Sequence, residues 1–258
     1  MLITVSPAKR LDETEAVATG GTTPFFADDT ATLAKTAVLK QPRKLEALMD
    51  ISQALGKLNA ERFKRFGSGE GEKQAIEMFA GDTYTGFDAA SLDVDAMDYA
   101  QDHLRILSGL YGLLRPRDVI APHRLEMGTR LKTRRGKSLY DFWGDRIAKR
   151  LVAEAKDLGT DTLVNCASVE YFTAADRPAL KLRVVTPTFY ETKNGEPRIV
   201  SFFAKQARGA MARFICENRI TDPAALADFN LGGYEHRPDM SAPDRPVFVR
   251  GEVDQDAA

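Results

Sequence analysis

The order of helix-like and strand-like segments constrains the fold of this chain more than any other feature. Helical periodicity dominates the first half, whereas apolar strand-like runs cluster between residues 162 and 203, after one short run at Leu2–Val5. A regular alternation of strands and helices would predict a doubly wound sheet, and this chain does not alternate in that way. The order therefore predicts an α+β fold, as a single compact domain with a mixed sheet and surrounding helices.

The predicted strands are short runs that end at turn residues. Ser6-Pro7 ends the first run, and Asn194-Gly195 is a strong signal for a hairpin turn between two late strands. The predicted strands are Leu2–Val5, Thr162–Cys166, Leu182–Thr186, a short strand that begins at Phe189-Tyr190, and Arg198–Phe203.

Apolar residues spaced three and four positions apart predict the helices. A helix over Arg43–Leu55 is expected to stop at Gly56, and Asn59 is a suitable cap for a second helix that runs through Phe66. The other predicted helices are Ala96–Leu107, Ala148–Asp157 and an amphipathic helix after Phe203 that carries Ala207, Ala210, Met211 and Phe214 on one side.

Composition excludes several classes of protein. With 258 residues the chain can bury a core without disulfides or metals. Cys166 and Cys216 form no CxxC pattern and the three histidines are scattered, so we predict no metal site and no cofactor. The segment MLITVSPAKRLDE has no signal-peptide pattern, and no run reaches the roughly 20 apolar residues of a membrane helix. We expect a cytoplasmic protein with no membrane partner and no obligate protein partner.

Charge is unevenly distributed, although its sum is only −1. Residues 101–150 carry twelve Lys and Arg against five Asp and Glu, whereas residues 220–258 carry eight acidic residues against three arginines. A neutral total can thus hide one basic face, and arginines scattered over the solvated surface are an equally good interpretation. The domain is expected to span residues 1–258, with a flexible acidic tail from about residue 239.

Polar residues in and after apolar runs are the candidate site residues. Arg115 and Arg124 stand beside loop-forming residues, and arginine forks suit phosphate oxygens, although Arg124 and Glu126 are as well explained by internal pairing. Lys9 follows the first strand and is a candidate phosphate ligand. The alternative interpretation is an ordinary exposed surface lysine. Glu170 follows a buried strand, where stabilisation of a helix N-terminus is its alternative role. The chain contains no Walker loop, GxGxxG or GxSxG pattern.

Two helical segments carry coherent positive charge. The helix after Phe203 places Lys205, Arg208 and Arg213 on one face, and a basic face binds a nucleic-acid backbone by charge alone. Cations also surround the expected turn at Gly56, where backbone N–H groups can point at a phosphate. Solvated helix faces are the alternative explanation for both segments.

Five longer stretches of the sequence are distinctive in combination: SPAK, HLRILSGLYGLLRPRDVIAPHRLEMGTRL, LYDFWGDRI, LVNCASVEYF and IVSFFAKQARGAMARFI. Together they resemble the YaaA family of bacterial peroxide-stress proteins, and the resemblance extends from about residue 1 to Tyr234. It implies a single α+β domain in the cytoplasm, induction by hydrogen peroxide, lowering of unincorporated iron, and DNA binding through a positive cleft and a helix-hairpin-helix-like element. It implies no established enzymatic reaction, so no catalytic residue is assigned. The hairpin corresponds to residues 55–59, which fit loosely because Lys57 follows Gly56.

Two functional hypotheses follow. The first is a DNA-binding stress protein that contacts mainly the phosphate backbone of double-stranded DNA and limits damage by unincorporated iron. Its predicted DNA-binding residues are Lys57, Arg62, Lys64, Arg65, Arg115, Arg124, Lys205, Arg208 and Arg213. The alternative is an enzyme that acts on a nucleotide or nucleic-acid substrate. Its candidate pocket is Ser6, Lys9, Arg124, Glu126, Asn165, Glu170, Lys205 and Arg208. A dedicated iron site has no sequence support, since no cluster of His, Cys or carboxylate has suitable spacing.

Overall fold

The computed structural model describes residues 1–18, 20–38 and 40–252. The strands are β1 (Leu2–Val5), β2 (Lys73–Gln74), β3 (Leu104–Ser108), β4 (Gly112–Leu114), β5 (Val119–Ile120), β6 (Thr162–Cys166), β7 (Arg183–Val185), β8 (Thr188–Lys193), β9 (Glu196–Arg198), β10 (Tyr234–His236) and β11 (Val247–Arg250). The helices are α1 (Ala27–Val38), α2 (Pro42–Met49), α3 (Gln53–Lys64), α4 (Ala75–Met78), α5 (Asp82–Phe87), α6 (Val94–His103), α7 (Leu139–Trp143), α8 (Arg146–Asp157), α9 (Val169–Phe172) and α10 (Ser201–Asn218). Short 3-10 turns occupy Ala89–Ser91, Pro223–Asp228, Leu231–Gly233 and Pro238–Met240.

A five-stranded sheet with the order β4-β3-β1-β6-β7 forms the centre of the domain. β1 pairs in parallel with β3 on one side and β6 on the other, with Ile3 opposite both Leu104 and Val164. β7 continues in parallel, and β4 returns antiparallel along β3. β1 and β6 are fully buried, as expected for central strands that are covered on both faces. Both strands have the bounds that the sequence predicted.

A second sheet has the order β10-β11-β8-β9 and mixes parallel and antiparallel pairs. Asn194 and Gly195 both have positive φ, 55° and 77°, and connect β8 to β9 in the predicted hairpin. Phe189 packs against Phe248 and Tyr234 with ring centroids 5.5 and 5.4 Å apart. The chain is therefore one compact α+β domain with mixed sheets, as predicted.

The expectation of a flexible tail from about residue 239 is wrong as far as residue 252. Val247–Arg250 forms β11, which is buried between β10 and β8 in the second sheet. The apolar triplet at 247–249 explains this, because it completes the packing of that sheet against Phe189. Residues 253–258 lie outside the described part of the chain.

Two further boundaries differ from the predictions because sheet pairing overrides local periodicity. The helix expected over Ala96–Leu107 ends at His103, and Leu104 begins β3, which is buried along its whole length. The strand expected over Arg198–Phe203 ends at Arg198, and α10 begins at Ser201. The apolar spacing in both segments suits either structure, and only the partner strand decides.

The helical pair around Gly56 also differs from the prediction. Gly56 and Asn59 lie inside α3, whose N-cap is Ser52, so the hairpin expected at residues 55–59 is wrong. A Cβ on Gly56 would lie 2.4 Å from Cγ of Glu46, which shows that this glycine permits close packing of α2 on α3. The turn between the two helices is at Asp50, whose φ is 50°. A DNA-binding role for this helix pair stays a prediction.

Candidate functional site

The carboxyl ends of β1, β3 and β6 meet at one edge of the five-stranded sheet, termed here the carboxyl edge. β1 lies between the other two strands, so the loops that follow them separate at this point. In open α/β sheets, ligands bind outside the carboxyl ends of the strands where the connections diverge in this way. The loops that carry Ser6, Lys9 and Ser168 start here. A ligand site is therefore expected at this edge.

The two serines join the loop after β1 to the loop after β6. The Ser6 hydroxyl accepts a hydrogen bond of 2.9 Å from the Ser168 N–H and lies 3.3 Å from the Ser168 hydroxyl. Asn165 accepts a 3.0 Å hydrogen bond from the Ala167 N–H, and Tyr84 donates to the Ser6 carbonyl at 3.1 Å. Ser6 and Asn165, both candidate pocket residues, therefore fix the shape of the edge.

Glu126 lies between two cations at the same edge. Its Oε1 accepts hydrogen bonds from Nε and Nη2 of Arg124 at 2.9 and 2.7 Å, and Nζ of Lys9 is 3.5 Å away. The internal pairing of Arg124 with Glu126 that the sequence left open is thus present. The pair still faces the edge, because Lys9, Arg124 and Glu126 line one narrow crevice.

Gly109 allows the Arg124–Glu126 segment to cross the end of β3. A Cβ on Gly109 would lie 2.1 Å from the carbonyl oxygen of Leu125, so any side chain there would push the segment away. The indole N–H of Trp143 donates to the Gly109 carbonyl at 3.0 Å and fixes that turn. The glycines and aromatic residues of this stretch therefore position the crevice.

His123 and Tyr171 line the crevice and were missed by the sequence reasoning. Burial lowers the pKa of His123 to about 4, so its imidazole is neutral near pH 7. Burial, together with the nearby Glu170 and Glu126, raises the pKa of Tyr171 far above its ordinary value. Both groups are neutral and polar beside Glu126. The only indication of these two residues in the sequence was their position directly beside predicted site residues.

Glu170 lies at the rim of the crevice, in the first turn of α9. Its Oε1 accepts a 3.0 Å hydrogen bond from the Gly128 N–H, and its carbonyl accepts one of 2.9 Å from the Tyr140 hydroxyl. Ser168 caps α9. Glu170 thus connects the loop after β6 with the loop that follows Glu126.

The first half of α10 brings two cations to the carboxyl edge. A Cβ on Gly209 would lie 1.8 Å from the carbonyl oxygen of Thr83, so the backbones of α10 and α5 touch at this point. Nζ of Lys205 lies 3.6 Å from Asp82 at the start of α5. The preceding residue, Gly81, is in contact distance of Ala8 in the loop after β1.

Arg208 is the cation with the fewest partners at this edge. It is half-buried, and burial lowers the pKa of its guanidinium, with the neutral Cys166 thiol as the other interacting group. Within residues 1–18, 20–38 and 40–252, no carboxylate forms an ion pair with it. A half-buried guanidinium without a counter-charge is unfavourable, because burial removes hydration that nothing replaces. An anion bound at the edge would supply that charge.

The remaining predicted DNA-binding residues lie elsewhere. Arg115 follows β4, which runs antiparallel to β3 and ends at the opposite edge of the sheet, where Asp118 accepts its guanidinium at 2.8 Å. Arg213 donates to the carbonyls of Phe87 and Asp88 at 3.1 and 2.8 Å and so holds the end of α5. The structure therefore groups Arg124, Lys205 and Arg208 at the carboxyl edge and separates Arg115 from them.

Most of the predicted cations on α3 are paired with acidic residues. Arg62 is buried and lies 2.5 Å from Glu13. Lys64 pairs with Glu61 and Arg65 with Glu70, both at 2.6 Å. Lys57 is exposed. Only a part of the charge predicted for this helix is therefore available to an external anion.

Comparisons with known proteins identify the family. The family model described as "Peroxide stress protein YaaA" matches residues 1–240. The chain belongs to this peroxide-stress family. It is 60% identical over 260 residues to a UPF0246 protein of Jannaschia sp. (strain CCS1), with all of both chains covered. It is 59% identical over 254 residues to UPF0246 protein SPO0106 of Ruegeria pomeroyi, with 97% of this chain and 98% of the relative covered.

Membership of the YaaA family gives the chain a role in the peroxide-stress response, which raises the question of its thiols. Cys166 and Cys216 are both buried, and burial raises the pKa of each thiol to about 12. Peroxide reacts with thiolates, so protonated and buried thiols are poor targets. Both cysteines are therefore residues of the protein core.

In the described part of the chain, no group of three or more His, Cys, Asp or Glu residues is arranged to hold a metal ion. Within the same residues, no helix is both long and apolar enough to cross a bilayer.

Proposed function

We propose that this YaaA-family protein acts in the peroxide-stress response by binding double-stranded DNA through its phosphate backbone at the carboxyl edge. The half-buried Arg208 carries this proposal, because its guanidinium lacks a counter-charge among the described residues. Lys205 is available as well, since an exposed ion pair such as its contact with Asp82 contributes at most about 1 kcal/mol. A phosphate oxygen would replace that partner readily.

Such contacts would be tolerant of DNA sequence. Phosphate contacts position a protein on the duplex without reading its bases. Arg124 presents its fork beside Lys9, with Glu126 already bound, so its remaining donors suit an additional anion. Binding would therefore weaken steeply as salt concentration rises, because each neutralised phosphate releases counterions.

The same binding offers a route to lower damage by unincorporated iron. Proteins that neutralise phosphates release the cations condensed on DNA. Ferrous iron is one such cation. A bound protein would keep it away from the DNA, so the hydroxyl radicals that form when it reduces hydrogen peroxide would arise farther from the strands. The effect would then follow from DNA binding and would need no iron site on the protein.

Fluorescence-anisotropy titration of a short duplex across a salt series tests the proposal. We expect salt-dependent binding by the wild type and a loss of about tenfold or more in Arg208→Ala, since a hydrogen bond to a charged group contributes about 1.5–3 kcal/mol. Arg124→Ala/Arg208→Ala should lose more. Lys149→Ala on α8 is the control for Arg208→Ala, because it also removes one positive charge, from an exposed residue elsewhere. A folded wild type that does not bind, or binds independently of salt, contradicts the proposal. Lys57→Ala/Lys64→Ala measures the share of α3.

A second candidate function is an enzyme that acts on a nucleotide. The observation that favours it is that Glu126 shares one crevice with the neutral His123 and Tyr171. A neutral phenol and a neutral imidazole can hydrogen-bond and orient a phosphorylated substrate, and the Glu126 carboxylate is the group placed to accept a proton from it. Thermal stabilisation by nucleoside monophosphates, lost in Glu126→Gln and absent with duplex DNA, would support this function over the first.

A further inference from the structure

A short loop beyond the carboxyl edge carries the densest positive charge of the chain. Residues 130–137, termed here the basic arm, contain five cations and no acidic residue: Arg130, Lys132, Arg134, Arg135 and Lys137. All five are exposed. Neither hypothesis for the DNA-binding or pocket residues included them.

The basic arm has a fixed shape. Thr133 and Gly136 exchange backbone hydrogen bonds of 2.9 and 3.4 Å, which leaves Arg134 and Arg135 at the tip of a tight turn. At its base the Leu139 N–H donates to the Thr129 carbonyl at 3.2 Å. The apolar anchors are Leu131 and Leu139, both buried in the core.

Asp141 in α7 holds the outgoing side of the arm. Its Oδ2 accepts hydrogen bonds from the backbone N–H groups of Lys137 and Ser138 at 2.9 and 3.1 Å. Gly136, with φ of 152°, permits this approach, because a Cβ there would lie 2.2 Å from Cβ of Asp141. The base of the arm is thus attached to the domain by backbone hydrogen bonds and not by its cations.

Most of these cations have no internal partner. Arg135 pairs with Asp29 at 2.5 Å and stacks over the Phe142 ring at 4.6 Å, which fixes the tip. The other four, Arg130, Lys132, Arg134 and Lys137, form no ion pair with any residue that the structure describes. This contrasts with α3, where Arg62, Lys64 and Arg65 each have a carboxylate. Unpaired charge on a fixed loop is available in full to an external anion.

We propose that the basic arm grips the phosphates of one DNA strand beside the carboxyl edge, an inference that rests on the proposed DNA-binding function. Exposed and inward-facing residues alternate along the arm, with Arg130, Lys132 and Arg134 outward and Leu131 and Thr133 less exposed. Before the turn at Thr133, this is the period of an extended chain, in which alternate side chains such as those of Arg130 and Lys132 are about 6.6 Å apart. That spacing is close to the distance between successive phosphates on one DNA strand, which exceeds their axial rise of about 3.4 Å because the backbone winds around the helix axis.

The arm is also placed to extend the same surface. It begins four residues after Glu126, a separation of at most about 14 Å. Gly128, between them, is bound to Glu170 at the rim of the crevice. A duplex held at the carboxyl edge would therefore have the arm beside it, on the side where Glu126 and Glu170 lie.

The chemistry of the arm favours nucleic acid over a membrane. Membrane-surface segments combine cations with exposed aromatic or aliphatic side chains that enter the lipid. Here the apolar residues of the arm and its base, Leu131 and Leu139, are buried in the protein. Charge alone is left on the outside, and the three arginine forks among the five cations suit phosphate oxygens.

The test compares two variants that each remove four positive charges. One is Arg130→Ala/Lys132→Ala/Arg134→Ala/Lys137→Ala, and its control is Lys35→Ala/Lys44→Ala/Lys149→Ala/Lys156→Ala, whose lysines are exposed elsewhere. For each, the slope of log affinity for duplex DNA against log salt is measured. We expect the arm variant to lose about 3 to 4 units of slope and about tenfold or more in affinity, with a small effect in the control.

The outcomes separate this inference from the proposed function. A wild type that fails to bind duplex DNA overturns both. A wild type that binds and depends on Arg208, with equal slopes in the arm variant and its control, overturns the arm alone. The inference is also overturned if the arm variant no longer binds anionic vesicles but binds DNA as the wild type does. Arg130→Lys/Arg134→Lys, which retains the charge, should keep the wild-type slope, and circular dichroism checks that each variant is folded.

Discussion

The two edges of the five-stranded sheet both hold arginines, but at the carboxyl edge one of them, Arg208, has no carboxylate partner in the described part of the chain. At the amino edge, Arg105 and Arg150 share Glu154 at 2.5 and 3.0 Å, and Arg115 pairs with Asp118. At the carboxyl edge, Arg208 has no such carboxylate among the described residues. Both edges hold several cations. The presence or absence of acidic partners therefore decides whether these cations stabilise the fold or are available to a ligand.

An aromatic ring completes the pairing at the amino edge. The guanidinium groups of Arg150 and Arg115 lie 3.9 and 4.3 Å from the centre of the Phe25 ring, and that of Arg105 lies 5.9 Å away. The edge is thus a closed network of two carboxylates, three guanidinium groups and one ring. A network of this kind contributes to stability and leaves little charge for a ligand.

The largest expected effect comes from breaking this network. Glu154→Ala leaves Arg105 buried without its carboxylate, and we expect a loss of about 3–5 kcal/mol in the free energy of unfolding. Urea denaturation measures it. Glu170→Ala at the carboxyl edge is the control, because Glu170 is exposed and should cost less than about 1 kcal/mol. Equal losses in the two variants would remove the distinction between the edges.

The pH dependence of stability should reveal that His123, in the crevice at the carboxyl edge, is buried in its neutral form. His123 has a pKa of about 4 in the folded protein, against about 6.5 in the unfolded chain. Between these values the unfolded chain binds the additional proton, so stability falls as pH falls through 6.5 and levels off below about 4. We expect the wild type to lose about 3 kcal/mol more than His123→Gln between pH 7 and pH 4.

Urea denaturation at several pH values between 7 and 4 gives this difference directly. Carboxylates elsewhere contribute equally to both proteins, so only the difference between the curves concerns His123. Parallel curves for the wild type and His123→Gln would mean that the imidazole takes up a proton as readily in the folded as in the unfolded state, and His123 would not be shielded by burial.

A matched pair of arginine variants compares the two edges most directly. Arg115→Met should lower the free energy of unfolding by about 2–3 kcal/mol, because it leaves the fully buried Asp118 carboxylate without its cation. Arg208→Met should change it by less than about 1 kcal/mol, since no charge loses a partner. Thermal and urea denaturation measure both. A larger loss in Arg208→Met would identify Arg208 as a structural residue.

The comparison also shows how much of the fold the residue pattern could predict. β1 and β6 are continuous apolar runs ended by polar turns, and Asn194-Gly195 adopts the positive φ that such pairs favour, so local sequence was sufficient for them. β3 was missed because its apolar spacing also suits a helix. β11 was missed because the acidic residues around it hid three buried apolar positions.

The candidate site was predictable where it depended on strand ends. Lys9 and Asn165 lie near the ends of neighbouring strands, so they came together with Ser6 once β1 paired with β6. The availability of every cation was not predictable, because some carboxylate partners are distant in sequence. Arg62 and Glu13 are far apart along the chain, and only the folded structure shows that this cation is already neutralised.

The smallest expected effect concerns the thiols. Cys166 lies close enough to Arg208 for the cation to favour a thiolate, but burial outweighs this and the pKa of Cys166 rises to about 12. Hydrogen peroxide should therefore leave both thiols intact in the folded protein, as measured by thiol titration after unfolding of the treated sample. Unfolding before treatment is the control and should allow oxidation. Loss of the Cys166 thiol in the folded protein would place a redox-sensitive group at the carboxyl edge, and peroxide would then act on the same edge that we assign to DNA.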